Sequence, residues 1–169
     1  MARSVMPLWF GITASKSSAK ARSSVRDQSR ARKLKKRGVE AVVGQLGDTG
    51  WRDAAVGFQA YIHTAYEASP RAAEVDRIAI DTLCSAAKMT GGSPRLIYTS
   101  GVWVLGSTRG PADETARLTP AAHSAWRVPN EQHVLAAVLI GGADVELARQ
   151  VAEVVGPARA GQDVVELAG

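Results

Sequence analysis

The sequence predicts an α/β fold in which a parallel sheet is covered by helices on both faces. The first observation is an alternation of short apolar segments with longer segments of helical periodicity, between residues 25 and 142. The second is that the apolar segments are nearly continuous, as in strands that are buried on both faces of a sheet. A chain of 169 residues, 46% of them hydrophobic, is long enough for one domain with such a core.

The first half of the chain contains two helix candidates and two strand candidates. The predicted order is a basic helix at 26–38, a strand at 39–46, a short helix at 48–57 and a strand at 58–66. Gly38 is typical of a helix C-terminus, and Asp48 and Thr49 are both suitable N-caps for the short helix. The strand candidates consist mainly of apolar residues, which favours their burial.

The second half begins with the strongest helical pattern in the chain, at 72–92. Gly91 and Gly92 end this helix, and its apolar face is formed by Val75, Ile78, Ile80, Leu83 and Ala86. The remaining predicted elements are a strand at 95–106, a loop at 107–120 and helices at 129–142 and 144–156. Pro129 lies near the first turn of its helix, where proline is well tolerated.

Basic residues are concentrated near the N-terminus. Residues 1–38 contain eleven of the 21 lysines and arginines but only one of the 16 acidic residues, so the rest of the chain is acidic. Residues 1–24 contain no acidic residue and little periodicity, which predicts a disordered basic arm or a transit-peptide-like leader. The predicted division is an arm at 1–24, a main body at 25–142 and a C-terminal helix and tail at 143–169. An arm of this charge suits an acidic partner. Nucleic acid is open but not the expected partner, because the arm has few aromatic residues and no base-reading module.

The composition argues against several classes of protein. No apolar segment approaches the roughly 20 residues of a membrane-spanning helix, so no membrane partner is expected. The single cysteine, Cys84, cannot form an internal disulfide, which favours the cytoplasm, or an organelle if residues 1–24 are a leader. His63, His123 and His133 lack metal-ligand spacing, and no nucleophile elbow is present. We therefore expect neither a metal site nor a serine hydrolase.

Polar or small residues follow three of the predicted strands. These segments are Gln45-Leu46, His63-Thr64-Ala65 and Thr99-Ser100-Gly101. Because ligands of parallel sheets bind beyond the carboxyl ends of the strands, the three segments predict a ligand crevice. A structural interpretation stays open, in which His63 is a hydrogen-bonded core residue and the hydroxyls of Thr99 and Ser100 satisfy backbone groups.

Several short motifs, in this order, resemble a known family. The segments are VVGQL, YIHTA and RLIYTSGVWVLG, with a long helix before the third. A DE pair and a Trp-Arg helix start follow the third segment. In this order the motifs are similar to those of the extended short-chain dehydrogenases. This group is the NAD-dependent epimerase/dehydratase family, and the resemblance spans about residues 25–140. It implies a Rossmann-like sheet that binds NAD or NADP, and oxidoreductase chemistry on a small hydroxyl-bearing substrate. It leaves a homo-oligomer open.

The resemblance also implies which residues would contact the cofactor. Arg26 would lie near the adenosine ribose, where an arginine suits the 2′-phosphate of NADP. The other implied contacts are Gln45 and Leu46 beside the adenine, His63, Thr64 and Ala65 under the ribose and pyrophosphate, and Thr99 beside the nicotinamide. Asp76 stands where the family often has an asparagine. Two structural alternatives remain, since Arg26 also fits a basic surface and Asp76 a solvated helix position.

The sequence departs from the family at the catalytic positions. The family's Tyr-x-x-x-Lys pair corresponds to Trp126 and Asn130, and Ser100 stands one residue before the usual catalytic Ser or Thr. Trp126 cannot exchange a proton as a tyrosine does, and Asn130 carries no charge. The candidate catalytic residues are therefore Ser100, Trp126, Arg127 and Asn130. Arg127 and Glu131 also fit a helix ion pair at i, i+4 spacing.

The family's glycine-rich turn is missing from its expected place, where Gly11 stands alone in the segment PLWFGITASKSSAK. The first βα unit is therefore predicted to be incomplete, which would leave two central strands without a shared partner. The substrate region after residue 142 is predicted to be incomplete as well. Two functions stay open. One is a divergent or fragmentary NAD(P)-dependent oxidoreductase, and the other is a non-catalytic Rossmann-like binding protein whose basic arm contacts an acidic partner.

Overall fold

The structure is a computed structural model that describes residues 9–15, 18–108, 110–113, 115–141 and 144–148. The strands in these residues are β1 (Trp9–Ser15), β2 (Ser18–Val25), β3 (Glu40–Val43), β4 (Ala60–His63), β5 (Arg95–Thr99) and β6 (Asp144–Ala148). The helices are α1 (Gln28–Lys35), α2 (Ala72–Thr90) and α3 (Arg127–Gly141), with short 3₁₀ turns at Asp53–Ala55 and Val102–Val104. Within the described residues, no helix is both long and apolar enough to cross a membrane.

The six strands form one sheet of the order β3-β2-β1-β4-β5-β6. Strands β2 and β3 are parallel to each other, and so are β4, β5 and β6. Strand β1 is antiparallel to both of its neighbours, β2 and β4. The sheet therefore consists of two parallel groups that are joined by one reversed central strand.

Helices cover both faces of the sheet because the two parallel groups are connected in opposite directions. The β2-α1-β3 connection moves toward one edge, whereas the β4-α2-β5 and β5-α3-β6 connections move toward the other. Since parallel crossovers are right-handed, α1 lies on one face and α2 and α3 lie on the other. The predicted α/β, Rossmann-like sheet with helices on both faces is confirmed.

The core lies between the sheet and the α2–α3 layer. Alternate residues of the central strands are buried, with Tyr61 in β4 and both Leu96 and Tyr98 in β5. On α2, the buried apolar residues of the predicted face are Val75, Ile80, Leu83 and Ala86. Ile78 is only half-buried, so most but not all of that face is confirmed.

The N-terminal segment differs from the predicted disordered arm. Residues 9–15 and 18–25 form β1 and β2, and Phe10 and Ile12 of β1 pair with Ile62 and Ala60 of β4. Strand β1 thus fills the centre of the sheet and pairs with the neighbours that were expected to lack a shared partner. Only residues 16 and 17 separate β1 from β2, so no helix fits between them and the first βα unit is incomplete, as predicted.

Three other elements differ from the predictions. The helix predicted at 48–57 is reduced to the 3₁₀ turn, because the Asp48 carboxylate accepts from the Gln45 backbone N–H at 3.1 Å instead of capping a helix. The strand predicted at 95–106 ends at Thr99. Residues 144–148 form β6 and not a helix, since parallel pairing with β5 satisfies their backbone groups. The remainder of the helix predicted at 144–156 lies outside the described residues.

Candidate functional site

The carboxyl ends of β4 and β5 meet at one edge of the sheet, which we call the carboxyl edge. His63, the last residue of β4, is paired in register with Tyr98, and Thr99 ends β5. Paired residues of parallel strands point to the same face, so His63 and Tyr98 both face the α2–α3 layer. Ser100 follows on this face and contacts α3. The structure therefore brings His63 and Ser100 to one edge and one face, while their roles toward a ligand stay predictions.

Asp76 of α2 receives hydrogen bonds from three neighbouring elements beneath this edge. Its Oδ1 lies 2.9 Å from Nε2 of His63. Its Oδ2 accepts from the Tyr98 hydroxyl at 2.7 Å and from Nδ2 of Asn130 at 2.8 Å. Together with Arg77, which contacts Asn130, these residues form what we call the Asp76 network. It ties β4, β5, α2 and α3 to one another.

These contacts decide the charge state of the network. Burial alone would raise the pKa of the Asp76 carboxyl, but the hydrogen bond and charge of His63, followed by the bonds from Tyr98 and Asn130, lower that pKa below its usual value. Burial, followed by the negative charge of Asp76, raises the pKa of Tyr98 far above its usual value. Asp76 is therefore ionised at neutral pH, and Tyr98 keeps its proton and donates it in a hydrogen bond.

The amide of Asn130 is fully engaged inside the protein. Besides its bond to Asp76, Nδ2 donates to the carbonyl of Ala73 at 3.2 Å, and Oδ1 accepts from Nε of Arg77 at 3.0 Å. Arg77 also donates from Nη2 to the carbonyl of Pro129 at 3.0 Å. The residue at the family's lysine position thus joins the start of α3 to α2.

Ser100 leaves β5 and contacts a buried acid on α3. Its hydroxyl donates to Oε1 of Glu131. Glu131 is only 1% exposed, and Ser100 is 6% exposed. We call this arrangement the Ser100–Glu131 pair. This hydrogen bond fixes the orientation of the Ser100 hydroxyl.

An aromatic pair and an arginine form the outer part of the carboxyl edge. Trp126, directly before α3, stacks on Tyr66 with ring centroids 6.4 Å apart and ring planes 14° apart. The guanidinium of Arg127 lies 4.5 Å from the Trp126 centroid and 5.4 Å from the Tyr66 centroid. Within the described residues, no carboxylate forms an ion pair with Arg127.

This outer group is accessible from solvent and lies close to Ser100. Tyr66 is 56% exposed, and Trp126 and Arg127 are half-buried. A Cβ added to Gly101, the neighbour of Ser100, would lie 3.5 Å from the Arg127 side chain. A small molecule bound at the aromatic pair would therefore be near both the guanidinium and the Ser100–Glu131 pair.

The residues predicted to contact adenosine lie outside this group. Arg26 directly follows β2 and is exposed, as is Gln45. Leu46 is 2% exposed and belongs to the hydrophobic core together with Trp51, whose Nε1 donates to the carbonyl of Gln45 at 3.2 Å. Thr64 and Thr99 are half-buried, and Ala65 is buried.

Sequence reasoning missed several residues of the site. The i, i+4 spacing of Arg127 and Glu131 predicts a helix ion pair, and it gives no sign that Glu131 is buried against Ser100. Asp76 is 4% exposed, and its interpretation as a solvated helix residue is wrong. Tyr98 read simply as part of an apolar strand. The sequence does contain a sign that Asp76 is buried, because Asp76 follows Val75 and lies on the apolar side of α2.

Solved structures of known proteins share this fold. A short-chain dehydrogenase/reductase superfamily protein from Agrobacterium tumefaciens with bound NAD matches with a TM-score of 0.62 and 22% identity, over 76% of this chain and 40% of that chain. A double mutant of DesIV, a dTDP-glucose 4,6-dehydratase from Streptomyces venezuelae with NAD bound, matches with a TM-score of 0.60 and 21% identity, over 73% and 42%. MoeE5 in complex with UDP-glucuronic acid and NAD matches with a TM-score of 0.58 and 18% identity, over 66% and 41%.

These matches confirm the predicted resemblance to NAD-dependent epimerases and dehydratases at the level of the fold. The chain spans about two fifths of the length of these proteins. No protein-family model matches the sequence, and no curated protein matches it significantly. Because one fold hosts many functions, the activity of this chain has to be argued from its own residues.

The described residues do not fit a dinucleotide held in the family's manner. In such sheets a glycine-rich turn after the first strand leads into a helix whose N-terminus binds the pyrophosphate. Here β1 is reversed, so its carboxyl end at Ser15 lies at the opposite edge of the sheet from His63. Strand β2 follows after two residues. The lysine position is Asn130, whose amide is already engaged.

Proposed function

We propose that this chain binds a small hydroxyl-bearing molecule at the carboxyl edge of its sheet, as a divergent protein of the dehydrogenase fold. The observation that supports this most directly is the Ser100–Glu131 pair, in which a hydroxyl contacts a deeply buried carboxylate. The fold supports the location, since ligands of such sheets bind beyond the carboxyl ends of the strands.

The Ser100–Glu131 pair suits a ligand hydroxyl. Ser100 Oγ can accept a hydrogen bond from a bound hydroxyl while it donates its own proton in the hydrogen bond to Oε1 of Glu131. Asn130 acts as a positioning residue, because its amide holds α3 against Asp76.

Arg127 suits an anionic group on the same ligand. The rings of Trp126 and Tyr66 hold its guanidinium in place by cation–π contact, and the described residues offer it no carboxylate. A planar guanidinium with free N–H groups binds a carboxylate in two parallel hydrogen bonds. We therefore favour a substrate that has both a hydroxyl and a carboxylate.

Redox turnover with NAD or NADP is not part of this proposal, because the residues that would hold the pyrophosphate do not fit. The contacts predicted for Arg26, Gln45 and His63 with either cofactor stay predictions. A dinucleotide bound by such contacts alone would lack the strongest element of the family's site, the helix N-terminus.

Calorimetric titration with UDP-glucuronic acid and UDP-glucose tests the proposal. Both compounds occur in solved structures of similar fold, and they differ by the carboxylate. We expect saturable binding of UDP-glucuronic acid, about tenfold tighter than UDP-glucose, as one charge-assisted contact worth about 1.4 kcal/mol implies.

Two variants and one control test which side chains contact the ligand. Arg127→Gln should remove the preference for the carboxylate, and Ser100→Ala should weaken both ligands by a similar factor. Lys88→Gln, which changes an exposed charge on α2, should bind as the unmodified chain does. Failure of both ligands to bind, or an Arg127→Gln variant with the preference intact, would refute the proposal.

A further inference from the structure

A dense group of positive charges lies on and around α1, away from the carboxyl-edge site. Residues 26–37 contain seven lysines and arginines and a single acid, Asp27. Asp27 caps α1 by accepting from the backbone N–H of Arg30 at 2.9 Å, and it pairs with the Arg30 side chain at 3.2 Å. The other six basic residues are all exposed, and in the described part of the chain none of them forms an ion pair. We call them the α1 cationic surface: Arg26, Arg32, Lys33, Lys35, Lys36 and Arg37.

Packing does not account for this charge, and helix electrostatics accounts for only part of it. No residue of α1 is buried, so the basic side chains do not serve a core on this helix. The negative C-terminal end of a helix favours cations in its last turn, which covers Arg32, Lys33 and Lys35. It does not account for Arg26 before the helix or for Arg37 beyond its cap.

A groove runs beside this surface. It has a volume of about 610 Å³ and lies between α1 and β3, the strand at one edge of the sheet. Arg32 and Lys35 line its helical side, and Lys36 lies one turn after Arg32. Glu40 on the strand side is paired with Arg22 at 2.6 Å, so its carboxylate does not neutralise the groove.

We propose that the α1 cationic surface binds the phosphate backbone of double-stranded nucleic acid without reading its sequence. A helix with its flanks from 26 to 37 spans about 16 Å, which is enough to reach several phosphates. Residues 26–43 include no aromatic side chain, so the surface offers nothing for unpaired bases to stack on. This favours a duplex over a single strand, and it does not depend on the ligand proposed for the carboxyl edge.

An anionic membrane fits the same surface less well. Helices that lie in a membrane interface bury an apolar face, and α1 offers only Leu34 and Ala31, which are half-buried against the protein. Helical spacing places Arg32, Lys35 and Lys36 within one side of α1. Neutralisation of about three phosphates by this side predicts that log K falls with log salt at a slope of about −3.

Fluorescence anisotropy with the full chain and two unrelated duplexes of about 20 base pairs tests the proposal, at about 50 to 200 mM salt. We expect equal affinity for both sequences and the slope of about −3. The triple variant Arg32→Gln, Lys35→Gln, Lys36→Gln should lose at least about tenfold in affinity, with a slope near zero. The matched variant Lys88→Gln, Arg95→Gln, Arg117→Gln removes three exposed charges elsewhere and should lose less than about twofold.

Four outcomes would overturn the proposal. They are an absence of duplex binding at the lowest salt, an equal loss in both triple variants, a preference for one duplex sequence, and stronger retention on phosphatidylserine vesicles than on duplex. Circular dichroism and thermal melting of both variants establish that they are folded, since all the exchanged side chains are exposed.

Discussion

At the residue scale, Asp76 is the buried charge on which the candidate site depends. Three donors from β4, β5 and α3 converge on its two carboxylate oxygens. Because they lower its pKa, the stability that they add is fully present above the unfolded-state pKa near 3.8. That stability is lost as the pH falls through the lower pKa of the folded state.

Asp76→Asn tests this account of the network. An amide has one acceptor oxygen where the carboxylate has two, so its NH₂ group must face either His63 or the donors of Tyr98 and Asn130, and the buried network loses an acceptor. We expect the free energy of unfolding at neutral pH to fall by about 3 kcal/mol, measured by urea titration. The difference from the unmodified chain should shrink as the pH falls below the unfolded-state pKa near 3.8 and through the lower pKa of the folded state. A difference that stays at about 3 kcal/mol over this whole pH range would contradict the account.

At the element scale, a closed loop sets the distance between β5 and α3. The hydroxyl of Thr119 donates to the carbonyl of Leu105 at 2.8 Å, and that of Ser124 donates to the carbonyl of Trp103 at 3.0 Å. Gly106 allows this closure, with φ at +66° and the Thr119 carbonyl oxygen 2.0 Å from where its Cβ would be. The loop thereby brings Ser100 and the start of α3 together.

Comparison of Gly106→Ala with Gly92→Ala separates the cost of a positive φ from the cost of the clash with Thr119. Gly92 has a similar φ of +70° but open space around the added Cβ, so its substitution should cost about 1–2 kcal/mol from backbone strain alone. Gly106→Ala must in addition displace backbone, and we expect a total loss above about 4 kcal/mol. Equal losses in urea unfolding would show that the loop is not closed against Gly106.

The sequence predicts best those elements whose apolar residues repeat with a spacing that fits only one type of secondary structure. Helix α2 repeats its apolar face over 19 residues, which a strand cannot do. Val145 and Leu147 in β6 suit an alternating pattern and a helical one equally, and only pairing with β5 decides between them. Strand β1 has no clear alternating pattern, because its apolar residues are interrupted. Its extended structure depends on pairing with β2 and β4, which a local pattern does not show.

The candidate site was predictable only in part. Topology places His63 and Ser100 at one edge, because carboxyl ends of parallel strands meet there. The contact of Ser100 with Glu131 depends on how α3 packs against β5, and a local sequence pattern does not predict that packing. The same holds for Tyr66 and Trp126, which are 60 residues apart and meet only in the folded chain.

At the scale of the whole molecule, the reversed central strand distinguishes this sheet from that of dinucleotide-binding proteins. The sheet keeps the strand order 3-2-1-4-5-6 of dinucleotide-binding proteins, with helices on both faces. Because β1 is antiparallel and returns directly as β2, its carboxyl end at Ser15 lies away from the carboxyl edge. The described residues therefore keep the carboxyl edge of such a sheet, without a glycine-rich turn after the central strand.

Calorimetric titration of the full chain with NAD and NADP tests most directly whether a sheet with this reversed strand binds a dinucleotide. UDP-glucuronic acid is titrated into the same preparation. We predict saturable binding of the sugar nucleotide and no saturable heat from either dinucleotide up to about 1 mM, where binding would be worth only about −4 kcal/mol. A dissociation constant for NAD or NADP in the micromolar range, about −8 kcal/mol, would contradict the account.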